Sequence, residues 1–175
     1  MVTQREVARM DRIRGGVITT TLLILLGIAV AGGFLVWFFY CPCDRTPGGY
    51  LLGDEASEPV DDWSFANDRT TVPLCQIQVS TAFLPHSVNL NCMAVNGELY
   101  LSCAGCDGKY WSTAVLNNPQ ARVRAGKLIY PVTVTRVLDP ATLDAAWAAR
   151  AAKMGRSSEA SPRPDHWWSF HVTSR

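Results

Sequence analysis

The residues of this chain with the clearest chemical potential are two cysteines three positions apart, in the stretch CAGCDGKYWSTAVLNNP at 103–119. Such spacing lowers a thiol pKa in redox sites and is also used to bind zinc. A thioredoxin-like site needs a β-α-β setting, which the surrounding sequence lacks, and a structural zinc site usually combines two such pairs. We therefore predict that Cys75, Cys92, Cys103 and Cys106 are core thiols or disulfides, with metal binding or redox activity as the alternative.

A second close pair, Cys41-Pro-Cys43, directly follows an apolar segment. A disulfide within so short a triplet would be strained, so we expect each cysteine to pair with a cysteine of the downstream domain or of a partner. A copper or lipid attachment site is the alternative.

The apolar segment, VITTTLLILLGIAVAGGFLVWFFY at 17–40, contains no charged residue. As a helix rising about 1.5 Å per residue it would be about 36 Å long, enough to cross a hydrocarbon core of about 30 Å. Trp37 and Tyr40 stand where interfacial aromatic residues belong. A cleaved signal peptide would be shorter and would end in small residues, whereas this segment ends in Phe-Phe-Tyr-Cys. It is predicted to be a retained transmembrane helix.

Basic residues set the predicted orientation of the span. Four arginines precede it, whereas Arg45 alone lies close behind it, among acidic residues. The positive-inside rule places residues 1–16 in the cytoplasm and the rest of the chain in the periplasm, with the helix in a bacterial inner membrane. All six cysteines would then lie on the oxidising side, where disulfides form.

Small residues recur at four-residue spacing inside the span, Gly27 with Ala31 and Ala29 with Gly33. Such residues let two helices approach closely, so this face is predicted to dock on integral membrane subunits, while other faces contact lipid. A formal net charge of +1 gives no reason to expect a nucleic acid partner.

Residues 41–71 are rich in Pro, Gly, Asp and Ser and are predicted to be an extracytoplasmic linker that docks near Trp63. The folded domain is expected at 72–175. Its patterning predicts a strand at 74–79, a hairpin about Asn96-Gly97, a helix at 109–116, strands at 121–125 and 128–138, a helix from Pro140 capped by Asp139, and a strand at 167–173. Antiparallel strands with two small helices predict a small barrel.

The Asn96-Gly97 turn predicts the register of the hairpin. With Val95 opposite Glu98, Ala94 faces Leu99 and Cys92 faces Leu101. One face then collects apolar residues, and the opposite face collects Asn89, Asn91, Met93, Glu98, Tyr100 and Ser102.

This order of elements, with NGELYLSCAG, Trp111, Asn118-Pro119 and QARVRAGKLIYPVTVTRVLDP, resembles the flavin-binding split-barrel family, which is pyridoxamine phosphate oxidase-like. The branch it is most similar to is the deazaflavin-dependent nitroreductase-like one, over about residues 72–173. The resemblance implies a six-stranded split barrel, often a homodimer, that holds a flavin or deazaflavin at the subunit interface. It would place Lys109, Trp111 and Ser112 near the cofactor.

The same branch typically grips the cofactor phosphate with a basic segment between the first two strands, where this chain reads STAFLPHSVNL without Arg or Lys. A phosphate requires cationic side chains or clustered backbone donors, which leaves Lys109, Arg122 and Arg124 as candidates. We therefore expect no cofactor and a non-catalytic accessory subunit of a larger respiratory, photosynthetic or oxygenase membrane complex. The alternative is a membrane-anchored flavin- or deazaflavin-dependent oxidoreductase.

Overall fold

A computed structural model describes residues 4–80, 84–158 and 162–175, with side chains from residue 16 onward. It divides into two compact units, Met1–Trp37 and Phe38–Arg175. Residues 81–83, which belong to the segment that replaces the expected phosphate grip, lie outside the described residues.

The first helix, α1, runs from Gln4 to Tyr40. Its stretch Gly16–Tyr40 has a mean hydropathy of 2.6 and is long and apolar enough to cross a membrane, a property that a signal sequence near an N-terminus shares. A Cβ added at Gly27 or Gly33 would meet nothing within 4 Å, so these positions lie on an open helix surface.

Six strands of the described chain close into an antiparallel barrel, which confirms the predicted fold class. Their order around the barrel is β1-β2-β3-β6-β5-β4, and β4 pairs back with β1. The strands are β1 Cys75–Ser80, β2 Pro85–Val95, β3 Glu98–Ala104, β4 Gln120–Ala125, β5 Leu128–Arg136 and β6 Trp167–Ser174, with helix α2 at Tyr110–Asn117 and α3 at Pro140–Lys153.

The hairpin register predicted from Asn96-Gly97 is confirmed, because Val95 pairs with Glu98, Ala94 with Leu99 and Cys92 with Leu101. Both turn residues have positive φ, 51° and 83°, as a two-residue turn of this kind requires. The apolar face of the hairpin fills the barrel interior together with Val123, Val132 and Phe170.

Helix α3 covers the other face of the hairpin. Asp139 caps it as predicted, accepting a 2.8 Å hydrogen bond from the Thr142 amide. Met93 and Tyr100, which the register assigns to the face opposite the barrel interior, are therefore buried in a second apolar cluster with Ala146 and Trp167. Period-two patterning does not reveal this burial, because the covering helix comes from far along the chain.

The segment predicted as a linker belongs to the same compact unit as the barrel. Leu51 and Trp63 are almost fully buried, and Gly48 forms two backbone hydrogen bonds with Ser87 at 2.8 and 2.9 Å. The folded unit thus begins well before the residue 72 expected from composition. The Pro, Gly and Asp content of the segment predicts irregular backbone. This irregular backbone packs on the barrel surface and does not form a separate linker.

The structure joins its cysteines in three pairs, Cys41 with Cys43, Cys75 with Cys92, and Cys103 with Cys106. The expectation that Cys41 and Cys43 each pair elsewhere is wrong. The other four cysteines are already paired to each other, across β1 and β2 or within the 103–106 turn, which leaves the triplet to close on itself.

Lys153, at the end of α3, has an ammonium group that donates a 2.8 Å hydrogen bond to the Cys92 carbonyl. Burial lowers its pKa to about 8, with Asp68 acting in the opposite direction. In the unfolded chain a lysine titrates near pH 10.4, so between about pH 8 and pH 10.4 the unfolded state binds more protons and the free energy of unfolding rises with pH.

We expect this rise to be absent from the Lys153→Met variant. The measurement is the urea midpoint of both proteins at pH 7.5 and pH 9.5. The stability of the wild type relative to the variant should be greater at the higher pH. A difference that is flat or that falls with pH would contradict the assignment, because all other titrating groups are common to both proteins.

Candidate functional site

A cavity with a volume of about 670 Å³ lies beside α2 in the barrel unit. Its described lining combines an aromatic ring, hydroxyl groups and side-chain amides, and it includes no charged side chain. The lining residues are Ser80, Gly108, Tyr110, Thr113, Ala114, Asn117 and Asn118.

Helix periodicity explains why α2 presents these side chains together. Positions 110, 113, 114 and 117 are spaced i, i+3, i+4 and i+7, so they lie on one face of the helix. The opposite side carries Trp111, Ser112 and Val115, which are buried. The spacing of these four positions is visible in the sequence and could have predicted this face. The family resemblance pointed instead to Trp111 and Ser112, which are buried.

Tyr110, which lines the cavity, contacts the His86 ring in an edge-on arrangement, with the two ring centroids 4.7 Å apart. Burial lowers the pKa of His86. Since the lowered pKa favours the neutral imidazole, His86 adds no fixed positive charge near neutral pH.

Trp111 and Ser112, predicted to lie near a cofactor, are packed inside the protein. Trp111 is 3% exposed and its ring centroid lies 5.0 Å from that of Phe170. The Ser112 hydroxyl donates to the carbonyls of Cys106 and Lys109, at 2.5 and 2.9 Å. Both side chains hold α2 against the barrel and face away from the cavity lining described above.

Lys109 precedes α2 as its N-cap residue, and its ammonium group donates a 2.9 Å hydrogen bond to the Ala104 carbonyl. It borders a separate, smaller cavity of about 280 Å³, whose other charged lining residues are Asp44 and Arg45. Lys109, which was predicted to bind the phosphate, thus borders a different cavity from the one beside Tyr110.

Arg122, on β4, binds the segment that precedes the barrel. One guanidinium nitrogen donates to the Leu51 carbonyl at 3.1 Å and to the Gln78 side-chain oxygen at 2.9 Å. The other lies 3.2 Å from a carboxylate oxygen of Glu55. The guanidinium also stacks 4.7 Å from the centre of the Tyr50 ring.

Arg124 makes an equivalent set of contacts two residues further along β4. It donates to the Gln76 side-chain oxygen and to the Leu52 carbonyl. Burial, and after it the positive charge of Arg122, lower the pKa of the Arg124 guanidinium. The two arginines therefore attach residues 50–55 to the outer face of β1 and β4, where each faces a glutamine across the strand pair.

These contacts decide how well the residues present fit a flavin or deazaflavin phosphate. The five predicted residues are not all brought together at one cavity: Ser112 is in the core, Arg122 and Arg124 bind the chain itself, and Lys109 and the buried Trp111 both border the smaller cavity. The lining beside α2 offers neutral donors and acceptors, whereas a phosphate dianion requires cations or a cluster of backbone amides. The described lining beside α2 therefore does not fit such a phosphate group, and the smaller cavity combines its two cations, Arg45 and Lys109, with the carboxylate of Asp44.

Neither a protein-family model nor a curated protein matches the sequence. Among solved structures, a conserved hypothetical protein of Mycobacterium tuberculosis, Rv2991, aligns over 70% of this chain and 86% of its own, at 12% identity and a TM-score of 0.53. The domain has the flavin-binding split-barrel fold. At this level of identity the likeness shows the fold alone, and it confirms the resemblance predicted from the sequence to that extent.

Other split-barrel structures align less well. A FAD-binding protein of Mesorhizobium loti covers 58% of this chain and 80% of its own, with 13% identity and a TM-score of 0.44. An F420-H2-dependent reductase, FDR-A, covers 57% of this chain and 93% of its own, with 18% identity and a TM-score of 0.41.

Proposed function

We propose that this protein is a single-pass, membrane-anchored accessory subunit of a larger membrane complex, with a split barrel that makes structural contacts and performs no catalysis. In this proposal residues 1–16 are cytoplasmic, the apolar helix spans the inner membrane, and residues 41–175 lie in the periplasm. Partner complexes of the respiratory, photosynthetic or oxygenase type have integral subunits on which such a helix could dock.

The observation that carries the proposal is that Arg122 and Arg124 bind other residues of this chain. Both guanidinium groups are occupied by backbone carbonyls and side chains of the chain's own residues 50–55 and by glutamines of β1. A split barrel that held a phosphorylated cofactor through these arginines would have to release that segment first. The contacts favour a barrel whose positive charges stabilise its own fold.

The apolar helix gives the second support. None of its apolar window is buried within the described structure, and its small residues Gly27 and Gly33 present an open surface. In a membrane, close approach at such residues is a main source of helix association, since lipid tails are as apolar as leucine. This surface suits an integral partner subunit.

The test is gentle purification of the tagged full-length chain from its native membrane, followed by an absorbance spectrum and quantification of the chains that accompany it. We expect a colourless protein with a fixed set of integral subunits. Flavin or deazaflavin near one equivalent per chain would overturn the proposal and favour the oxidoreductase. The subunit ratio also reports whether a homodimer is present.

A helix variant separates docking from anchoring. The double substitution Gly27→Leu with Gly33→Leu should remove the accompanying subunits while the protein stays in the membrane. The matched control is Ile28→Leu, which changes neither bulk nor hydrophobicity appreciably and should retain them. Retention of all subunits by the glycine variant would mean that this face does not dock.

A reporter fused to the C-terminus tests the proposed orientation of the helix in the membrane. A reporter signal from the cytoplasm would contradict that orientation.

A further inference from the structure

We propose that the Cys41–Cys43 disulfide is a thiol–disulfide exchange site that accepts two electrons from a protein dithiol. Its location at a membrane surface rests on the proposed function, because the pair directly follows the apolar helix. Its chemistry rests on accessibility, on the size of the loop it closes and on the contacts that hold the surrounding chain.

Accessibility distinguishes this disulfide from the other two. Cys43 is exposed and Cys41 is half-buried. All six cysteines lie in the described part of the chain, and none of the other four is more than 7% exposed. Exchange begins when a thiolate reaches a disulfide sulfur, so the barrel disulfides are protected and the Cys41–Cys43 pair is open to attack at Cys43.

The loop that the disulfide closes is very short, with a sequence separation of 2, compared with 17 for Cys75–Cys92. A disulfide stabilises a fold mainly by restricting the unfolded chain, and that effect grows with the length of the closed loop. The Cys41–Cys43 bond therefore adds little to the stability of the fold, which leaves its presence without a strong structural reason.

Other contacts already fix the chain around the triplet. Cys43 and Thr46 exchange two backbone hydrogen bonds, at 2.8 and 3.1 Å. Asn89 on β2 donates a 2.9 Å hydrogen bond to the Asp44 carbonyl, and Gly48 is bonded to Ser87 in both directions. The turn is therefore held on β2 without the disulfide, and the bond can open and close while the barrel stays folded.

The charges near the triplet include both signs. Arg45, in the same turn, and Lys109 line the cavity of about 280 Å³ together with Asp44. Arg45, two residues after Cys43, favours a thiolate released in this turn, and the neighbouring Asp44 opposes it.

The exchange proceeds in two balanced steps. A thiolate of the partner dithiol attacks the Cys43 sulfur; a mixed disulfide forms, the Cys41–Cys43 bond breaks, and Cys41 departs as a thiolate that takes up a proton. The partner's second thiolate then attacks its own sulfur in the mixed disulfide and releases Cys43 as a thiolate, which is protonated. The partner is oxidised to a disulfide, and Cys41 and Cys43 receive two electrons and two protons.

The first experiment equilibrates the full-length protein in detergent with graded ratios of reduced to oxidised glutathione, followed by alkylation and mass spectrometry of each cysteine. Cys41 and Cys43 should become alkylated at a ratio at least about tenfold less reducing than the other two pairs require, with an unchanged circular dichroism spectrum. The proposal is overturned if the barrel disulfides open at the same ratio, or if opening of Cys41–Cys43 unfolds the barrel.

The second experiment uses reduced thioredoxin as the protein dithiol. The wild type should oxidise about one thioredoxin per chain, and the double variant Cys41→Ser with Cys43→Ser should remain at background. Equal oxidation by both proteins would overturn the proposal. The double variant should keep the same membrane subunits and absorbance spectrum as the wild type, so failure of the exchange is distinguishable from failure of the accessory role.

Discussion

Trp111→Ala is expected to destabilise the protein by about 3–5 kcal/mol, the range for removal of a fully buried large aromatic side chain. Trp111 lies in the barrel core against Phe170 and connects α2 to the interior. A cavity of this size is not filled by small shifts of the surrounding strands, because each strand of the closed barrel is paired with a neighbour on both sides. Urea unfolding of the full-length protein in detergent, followed by circular dichroism, measures the change.

Tyr110→Ala is the matched control, since the neighbouring aromatic residue is 57% exposed and contacts the His86 ring. Its cost should be at most about 1.5 kcal/mol, the upper value for one aromatic pair. Similar costs for the two variants would show that Trp111 is not a core residue. Trp111→Phe, which keeps a ring in place, provides a folded protein if the alanine variant does not accumulate.

Arg122→Ala is expected to cost about 2–3 kcal/mol, the range for a hydrogen-bonded charged group whose loss leaves a buried acceptor without a partner. The Leu51 carbonyl belongs to a residue that is 1% exposed and would lose its Arg122 donor. The same substitution removes one of the attachments that hold residues 50–55 to the barrel, so limited proteolysis should cut there faster. Thermal or urea unfolding and the proteolysis rate together measure the effect.

Two controls separate the parts of the Arg122 effect. Glu55→Gln removes only the partly exposed ion pair and should cost under about 1 kcal/mol. Lys127→Ala removes a cation from the exposed turn between β4 and β5 and should change stability by about 0.5 kcal/mol or less. If Arg122→Ala left stability and proteolysis unchanged, the arginine would be free for another role, such as anion binding.

Sequence patterns within a few residues were sufficient to predict much of the barrel. The Asn96-Gly97 turn and the alternating residues on either side determined the hairpin register, because a slip by one residue would have turned its apolar set outward. Asp139-Pro140 marked the start of α3, since a carboxylate can accept the first free amides and proline fits the first turn. Each of these signals acts between residues close in sequence.

The candidate site was predicted less well, because its residues are positioned by contacts between distant parts of the chain. The resemblance pointed to Trp111 and Ser112, which the structure buries, and the exposed face of α2 with Tyr110 and Thr113 was overlooked. Charge alone marked Arg122 and Arg124 as phosphate ligands. Sequence does not reveal that a buried carbonyl and a glutamine already occupy them.

The sequence by itself determined the apolar helix, the order of the strands, the hairpin register and the helix cap, because these depend on hydrophobic periodicity and on turn or cap residues within a few positions. Only the tertiary structure decided which groups Arg122 and Arg124 bind and how the cysteines pair. Arg122 meets Leu51 across 71 positions, and Cys75 meets Cys92 across β1 and β2. Such contacts depend on which segments the closed barrel brings side by side, and a one-dimensional pattern does not record that choice.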